Sequence, residues 1–328
     1  MTLIWGSSWV RAVGTALGAV VVMAWPVMAG AQSSPTLAGI DISPVYQSVT
    51  LGADEPAGHY VVTLTNKTGV DQAFKLSTVD FGSLNESGGV AFLGVSSSDF
   101  AQKYGLSPWM QLDQTALTLA PGSSADITVT VTNSAALRSG GHYGAVLATA
   151  LTAPNDPAAA SRVGVMEVLS SLILLVKGGG PPPTLALVAQ DVQRASWGLP
   201  DAVTDRFHNE GATHVVPRGV VEVHDPVGRL VARGALNEDS GIILPQNFRR
   251  YVTPLVQLAA ARWPGRYRVV TTYRYDGSNA RTQYVSSFWY LGAAYVWISV
   301  VVLMALVAAA GGWWLVWRKR KSRRARRF

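Results

Sequence analysis

The pattern of strands is clearest in the sequence Leu117-Thr118-Leu119-Ala120-Pro121-Gly122-Ser123-Ser124-Ala125-Asp126-Ile127-Thr128-Val129-Thr130-Val131. Apolar and polar residues alternate on both sides of Ala120-Pro121-Gly122-Ser123, whose composition is typical of a turn. A period of two places the apolar side chains on one face of a strand. The stretch therefore predicts two half-buried strands joined by a tight turn.

The same alternation continues on both sides of this stretch. Further runs are His59 to Asn66, Phe74 to Val79, His142 to Leu151, Leu185 to Val188, Thr204 to Asn209, Val215 to Val223, Leu230 to Leu236, Phe248 to Val256, Gly265 to Tyr275 and Thr282 to Trp289. Gly88-Gly89 marks a hairpin tip, and Ser98 to Tyr104 predicts a short capped helix. Many short strands separated by Gly, Pro and Asn predict an all-β fold of two tandem immunoglobulin-like β-sandwiches.

A Gly/Pro segment separates the two predicted sandwiches. Lys177 is followed by Gly178-Gly179-Gly180-Pro181-Pro182-Pro183. Three glycines permit a bend and three prolines stiffen the chain that follows. We therefore expect a first domain over 32–177, a hinge over 178–183 and a second domain over 184–287.

The C-terminal segment predicts one transmembrane α-helix over 288–317 and a basic tail over 318–328. No charged residue occurs from Leu291 to Val316, and about 20 apolar residues suffice to span a bilayer. Tryptophans at both ends are typical of membrane interfaces: Trp289, Trp297, Trp313, Trp314 and Trp317. The tail begins Arg318-Lys319-Arg320-Lys321, and eight of its eleven residues are basic. Such charge collects on the cytoplasmic side of a membrane.

The N-terminal residues predict export of the segment between the two ends. Residues 1–31 combine Arg11, an apolar stretch and the small-residue site Ala29-Gly30-Ala31, which is typical of a secretory signal peptide. An uncleaved N-terminal anchor is the alternative. We expect a single-pass protein of the cell membrane, with the ectodomain outside, the C-terminus in the cytoplasm and the lipid bilayer as one partner.

Composition narrows the class of protein. The chain contains no cysteine, which favours a bacterial surface protein stabilised by its cores over a disulfide-rich animal domain. The net charge of +7 arises from the tail, since residues 32–287 carry 18 basic and 20 acidic residues. The high pI therefore indicates an anchor rather than a nucleic-acid partner. Within the ectodomain, 32–177 is acidic and 178–287 is basic.

No motif predicts catalysis, a cofactor or a metal. The five histidines have no ligand spacing on a predicted helix, and Gly-x-Ser-x-Gly and phosphate-binding glycine loops are absent from the sequence. Glu238 and Asp239 lie in a predicted turn, where solvated carboxylates are expected. We therefore expect a protein that is not an enzyme.

One strand is apolar on both faces and is the candidate partner-binding segment. It runs from Val165 to Val176, and its candidate residues are Val165, Glu167, Leu169, Leu172, Leu174 and Val176. One interpretation is a fully buried last strand of the first domain. The other is an edge strand that pairs with a partner by β-augmentation.

Several motifs resemble bacterial surface proteins related to the WxL-interacting family. In the first domain they are Trp109-Met110-Gln111-Leu112, Leu117 to Ser123 and Gly140 to Val146. In the second they are Asn209-Glu210-Gly211 with His214 and Pro217-Arg218-Gly219, Asp225 to Arg229, Leu244-Pro245 with Arg249-Arg250, and Pro264 to Tyr267. The resemblance implies two immunoglobulin-like domains, one membrane anchor and binding of another surface protein or a cell-wall polymer.

The domain plan is also similar to periplasmic pilus chaperones, which implies a second hypothesis. In such proteins an apolar strand is donated to a subunit, and residues 165–176 would be that strand here. Those chaperones are soluble and use a cleft Arg and Lys pair, whereas this chain has an anchor and only Lys177 as a candidate. The leading hypothesis is a non-enzymatic surface binding or scaffolding protein, and the alternative is a membrane-anchored assembly chaperone.

Overall fold

The computed structural model describes residues 39–93, 98–151, 168–194, 198–278 and 280–324. The predicted signal peptide over 1–31 lies outside the described residues, as do Val165 and Glu167. The elements are β1 Ile40–Ser43, β2 Tyr46–Leu51, β3 Ala57–Asn66, β4 Gln72–Ser83, β5 Val90–Leu93, α1 Asp99–Tyr104, β6 Met110–Leu112, β7 Ala116–Leu119, β8 Ser124–Thr132, β9 Gly140–Leu151, β10 Val168–Lys177, β11 Leu185–Arg194, β12 Pro200–Asn209, β13 Pro217–His224, β14 Leu230–Leu236, β15 Phe248–Pro254, β16 Val256–Gln257, β17 Gly265–Tyr275, β18 Thr282–Tyr290 and α2 Ala293–Arg324.

The first sandwich consists of two sheets. One has the strand order β1-β3-β8-β6, and the other has the order β2-β10-β9-β4-β5 with β7 also paired to β4. The stretch that predicted the fold forms β7, a turn at Gly122 with a φ of 71°, and β8. However, β7 pairs with β4 and β8 pairs with β3, so the turn joins the two sheets rather than closing a hairpin.

The space between these two sheets holds the main core of the first sandwich. Alternate residues of β8, namely Ile127, Val129 and Val131, are fully buried there against β10 residues Ile173 and Leu175. The period-two pattern thus places one face of each strand inward and leaves the other face for a second use.

The second sandwich pairs a three-stranded sheet, β11-β12-β15, with a five-stranded sheet, β16-β14-β13-β17-β18. Its core includes Phe207, Val221, Val269 and Tyr267, all fully buried. The predicted fold class of two immunoglobulin-like sandwiches followed by one helix is confirmed.

The helix α2 begins three residues after the last strand. Within it, Ala294–Arg318 is 25 residues long with a mean hydropathy of 2.3 and is not buried in the protein. This segment is long and apolar enough to cross a membrane. The sequence predicted the span from residue 288, whereas β18 continues to Tyr290 and the helix begins at Ala293.

Candidate partner-binding cleft

The strand predicted as a possible edge is an interior strand over most of its length. β10 pairs with β9 on one side over its whole length, and with β2, in parallel, over Leu172 to Lys177 on the other side. The edge interpretation is therefore wrong for Leu172, Leu174 and Val176. The physical reason is that β2, some 120 residues earlier in the chain, crosses over from the other sheet and covers this edge.

Among the described residues, no strand pairs with Val168 to Ser170 on the side that β2 covers further along β10. Ser171 is fully buried, and its hydroxyl donates to the Pro44 carbonyl at 2.6 Å. β2 begins at Tyr46, opposite Leu172, and the last bond on this side is donated by the Leu172 N–H to the Val45 carbonyl at 2.9 Å. Backbone groups of a strand point alternately to its two sides, so the N–H and C=O of Ser170 point to the same side as those of Leu172. Among the described residues no strand pairs there, and Val168 is 47% exposed.

Leu172 and Leu174 of β10 belong to a second apolar cluster, on the sheet face opposite the main core. Leu172 and Leu174 lie there beside Tyr143 and Ala145 of β9 and Phe81 of β4. Other members of the cluster come from outside the sheet, namely Phe100 and Tyr104 of α1 and Ile242 and Leu244 of the second sandwich. The two-sided apolar character of β10 therefore reflects two separate clusters, one on each face of the sheet.

The short helix α1 covers one end of this cluster. Ser98 caps the helix by accepting a hydrogen bond from the Ala101 N–H at 3.1 Å, as the sequence predicted. The buried carboxylate of Asp80 accepts the N–H groups of Leu106 at 2.8 Å and Ser107 at 2.6 Å, which fixes the turn after the helix. Phe100 and Tyr143 stack with ring centroids 6.0 Å apart.

The other end of the cluster is open and forms a cleft of about 240 Å³ between the two sandwiches. Its floor is apolar and includes Phe81, Leu172 and Leu174, and Tyr46 of β2, which is 54% exposed, lies at its border. Ile242 and Leu244 of the second sandwich form the opposite wall. The cleft thus lies beside the strand whose start has a free edge.

Arg249 supplies a positive charge to this otherwise apolar wall. Its Nη1 donates to the Ile242 carbonyl at 2.7 Å, and its guanidinium lies 5.4 Å from the centroid of the Tyr251 ring. Its Nε is buried without a hydrogen-bond partner among the described residues. Asp239 also lines the cleft but forms no ion pair with Arg249 within the part of the chain that the structure describes.

An ion-pair cluster holds the two sandwiches together at one side of the cleft. Glu86, in the β4–β5 hairpin, accepts hydrogen bonds from Arg206 Nε at 2.8 Å and Nη2 at 2.6 Å and from Arg250 Nε at 2.8 Å. The Arg250 N–H also donates to the Glu86 carbonyl at 2.6 Å. The Arg206 guanidinium lowers the pKa of the Glu86 carboxyl to about 2, with Arg250 contributing.

A second interdomain contact is centred on His214. Its ring lies 3.2 Å from the Ser48 hydroxyl and 3.4 Å from the Tyr143 hydroxyl, and it packs edge-on against the Tyr143 ring. Burial lowers the pKa of His214, partly offset by Asp276. Nearby, the Gly141 N–H donates to the Ala212 carbonyl at 2.8 Å. The described residues therefore dock the two sandwiches at several points on either side of the Gly/Pro segment.

The predicted membrane residues lie at the C-terminal end of the described chain. Trp297, Trp313, Trp314 and Trp317 are all more than half exposed on α2. Trp289 instead lies in β18, opposite Arg266 of β17, and is 73% exposed. Arg318 to Lys321 continue α2, and the Arg318 guanidinium lies 5.3 Å from the Trp314 ring centroid. The roles of these residues at the membrane remain predictions.

Other polar residues that the sequence singled out have local structural contacts. Lys177 donates to the carbonyls of Leu137 at 2.7 Å and Ser134 at 3.1 Å, which ties the end of β10 to a loop of its own sandwich. In the described residues no group of three or more His, Asp or Glu side chains is placed to hold a metal. Sequence reasoning gave Glu86 no role and named Arg249 only within a motif of the resemblance, because contacts between residues far apart in the chain leave no local pattern.

Comparisons with known proteins return only distant likenesses. No protein-family model matches the chain, and no curated protein matches it. Among solved structures, the class 5 fimbriae chaperone CfaA is 11% identical over 75% of this chain and 98% of that chain, with a TM-score of 0.40. The YadV chaperone is 12% identical over 76% of this chain and 99% of that chain, with a TM-score of 0.36. The structure of the Salmonella enterica SafA pilin in complex with the SafB chaperone gives 9% identity over 75% of this chain and 96% of that chain, with a TM-score of 0.38. This likeness assigns no role to any residue here, and the resemblance to WxL-interacting proteins remains a prediction from sequence.

Proposed function

We propose that this chain is a non-enzymatic, membrane-anchored binding protein that captures an extended segment of another envelope protein. The segment adds as a strand to the free start of β10 and places its side chains in the adjoining apolar cleft. The observation that carries the proposal is the edge at Val168 to Ser170, which no described strand pairs, directly before the point where β2 covers the rest of the strand. Unpaired strand edges are templates for pairing with a second chain.

The surface of the cleft would give the binding its specificity through contacts with side chains of the added segment. Main-chain hydrogen bonds to Ser170 would give affinity for any extended segment, whereas alternate side chains of that segment would enter the surface formed by Leu172, Tyr46 and Phe81. Docking of the two sandwiches through Glu86 and His214 supports the opposite wall, so little ordering would be needed on binding.

A photo-cross-linking amino acid at position 168 of the full chain in its native membrane tests the proposal. Val61 is a matched control position, because it is also a half-exposed valine, 49% against 47%, but lies on β3 in the other sheet. We expect a defined partner band from position 168 and none from position 61. In the Ser170→Pro variant, which removes the N–H on the side without a described strand partner, the band should disappear.

The Ser170→Ala variant separates strand addition from other effects, since it keeps the N–H and should retain the band. Equal cross-linking in the Pro and Ala variants would contradict strand addition. Equal bands from positions 168 and 61 would contradict a localised site.

An anchored assembly chaperone is the second candidate function. It is favoured by the apolar character of the cleft, which suits a segment that its own protein leaves unfolded until assembly. The two functions differ in what happens when the gene is deleted. A chaperone predicts that the cross-linked partner is degraded, whereas a surface receptor or scaffold predicts that the partner accumulates normally but is released from the cell.

A further inference from the structure

The solvent-facing side of the five-stranded sheet carries a concentration of arginine. Along β17 the residues Tyr267, Val269, Thr271 and Tyr273 are buried, so the alternate residues face outward. Six exposed arginines lie on or beside this outer face: Arg218, Arg233, Arg266, Arg268, Arg274 and Arg281. Residues 178–287 contain 12 arginines and no lysine, so the basic character of this half is entirely guanidinium.

Three of these arginines form a row across neighbouring strands. Arg218 of β13 and Arg274 of β17 are direct cross-strand partners. The register Tyr273↔Thr282 places Arg281 next to Arg274 on the other side. Because neighbouring strands lie about 4.8 Å apart, the row spans about 10 Å across the sheet. We call Arg218, Arg274 and Arg281 the arginine row.

The three positive charges of the arginine row repel one another. Like charges directly opposite each other on a sheet are destabilising, and within the described residues no carboxylate forms an ion pair with any member of the row. Glu222 on the same face pairs with Arg233 and His224 instead. Asp276 lines an adjoining depression together with Arg218 and Arg274, and Glu238 lies in the turn after β14, but neither forms an ion pair with the row among the described residues. The positive charge of the row is therefore available to bind an anionic ligand.

The surface around the row is concave rather than flat. A depression of about 350 Å³ is lined by all three members of the row together with Arg233, Val220 and Thr272. A guanidinium presents a fork of donors that matches the oxygens of a phosphate group in two parallel hydrogen bonds. Several such forks within about 10 Å suit a ligand with repeated oxyanions better than a single ion.

The position of the row along the strand favours a polymer over the lipids of the anchoring bilayer. Gly265 pairs with Tyr290, three residues before the membrane helix begins, whereas Arg274 lies nine residues further along β17. At about 3.4 Å per residue this is roughly 30 Å from the membrane end of the strand. Arg266 and Arg268, which are not part of the arginine row, lie at the end of β17 that is nearer to the membrane helix.

We infer that the arginine row is a binding site for a linear phosphate-bearing polymer of the cell envelope. The site lies on the outer face of the second sandwich and is separate from the β10 cleft. One chain could therefore hold a protein segment in the cleft and an anionic polymer on this sheet. Failure of either proposal would leave the other standing, because the two use different residues.

Long-chain inorganic polyphosphate is the probe, added to the full chain in nanodiscs of zwitterionic lipid. We expect wild-type binding at 150 mM salt, and loss of affinity by about tenfold or more in Arg218→Gln/Arg274→Gln/Arg281→Gln, with a shallower salt dependence because phosphate contacts are lost. The charge-matched control is Lys67→Gln/Lys75→Gln/Lys103→Gln in the first sandwich, which should bind like the wild type. The corresponding triple Arg→Lys variant should lie between them, since it keeps the charge but not the fork.

Three outcomes would overturn the inference. The first is that the wild type does not bind polyphosphate, and the second is that the two triple glutamine variants lose the same affinity. The third is that the wild type binds added vesicles of an anionic phospholipid but not polyphosphate, and the arginine-row variant loses the binding to vesicles. The last result would assign the row to lipid headgroups. The protein-partner cross-link from position 168 should be unchanged in the arginine-row variant, which also shows that the variant is folded.

Discussion

The carboxylate of Glu86 accepts two hydrogen bonds from the guanidinium of Arg206, at 2.8 and 2.6 Å, and this fork joins a hairpin of the first sandwich to a strand of the second. Arg250 adds a third bond to the same carboxylate. The hairpin that carries Glu86 also forms a border of the β10 cleft, through Gly89 and Val90. The ion pair therefore sets the distance between the two walls of the proposed binding site.

Replacement of Glu86 should loosen the docking of the sandwiches without unfolding either one. We expect Glu86→Gln to increase proteolytic cleavage in the Gly/Pro segment 178–183, since the docked arrangement would open more often. The control is Asp41→Asn, which removes an exposed ion pair with Lys67 inside the first sandwich. Unchanged cleavage in the Glu86 variant would contradict its role in docking.

The Glu86 carboxylate adds no pH dependence to the docking over the range in which proteins usually work. Its pKa is lowered from 4.5 to about 2, so its stabilising contribution is present above pH 4.5 and is lost as the pH falls toward 2. In a His214→Gln variant, cleavage in the segment 178–183 should therefore be constant between pH 5 and 8, because Glu86 does not titrate in that range. His214 does make the docking depend on pH within this range. Because burial lowers its pKa, protonation of His214 below about pH 6.5 weakens the docked state.

The core of the second sandwich contains a carboxyl group with no cationic partner among the described residues. Asp205 is fully buried and accepts hydrogen bonds from Gln190 at 2.7 Å and Thr271 at 3.0 Å. Burial raises the pKa of Asp205 from 3.8 to about 6. Its contribution to stability is thus fully present below pH 3.8 and is lost as the pH rises through about 6.

Asp205→Asn should remove this pH dependence. A shift of about two pKa units corresponds to about 2 to 3 kcal/mol, so we expect the variant to be more stable than the wild type by up to that amount at pH 7.5, and by much less at pH 4.5. Thermal unfolding of the full chain in detergent at the two pH values measures the difference. The same gain at both pH values would show that the carboxyl group is not the cause.

Two apolar residues of β10 should respond differently to a negative charge. Leu174 is 2% exposed in the cluster beneath the cleft, so Leu174→Asp buries an unpaired charge and should destabilise the first sandwich by more than about 3 kcal/mol. Val168 is 47% exposed at the free edge, so Val168→Asp should fold normally and lose the partner. Circular dichroism and co-purification separate the two effects, and a folded, fully binding Val168→Asp variant would contradict the proposed site.

Much of this architecture follows from the sequence, because alternation is a local signal. The runs around residues 59–66, 125–131 and 265–275 were strong enough to fix strands and the fold class. What the sequence could not show is which strands pair. The burial of the β10 edge depends on β2, whose six residues Tyr46 to Leu51 include three polar ones and do not indicate which strand they pair with. The arginine row likewise forms only when three separate strands are brought into register.

The absence of cysteine from the sequence makes the predicted topology directly measurable. A single cysteine at position 123, in the turn between β7 and β8, should react with a membrane-impermeant maleimide in intact spheroplasts. A cysteine at Ser322, in the basic end of α2, should react only after the membrane is dissolved. Labelling of both positions in intact spheroplasts would contradict a cytoplasmic tail.

Hydrogen exchange at the start of β10 reports directly on whether a partner segment adds to this strand. The full chain in nanodiscs is compared with and without the partner identified by cross-linking from position 168. Strand addition predicts that the amide of Ser170, which has no strand partner on its side among the described residues, becomes protected on binding. The amide of Ile173, in the covered part of the strand, should be unchanged. If the partner binds and the Ser170 amide exchanges as fast as before, the partner does not extend this sheet and the account is wrong.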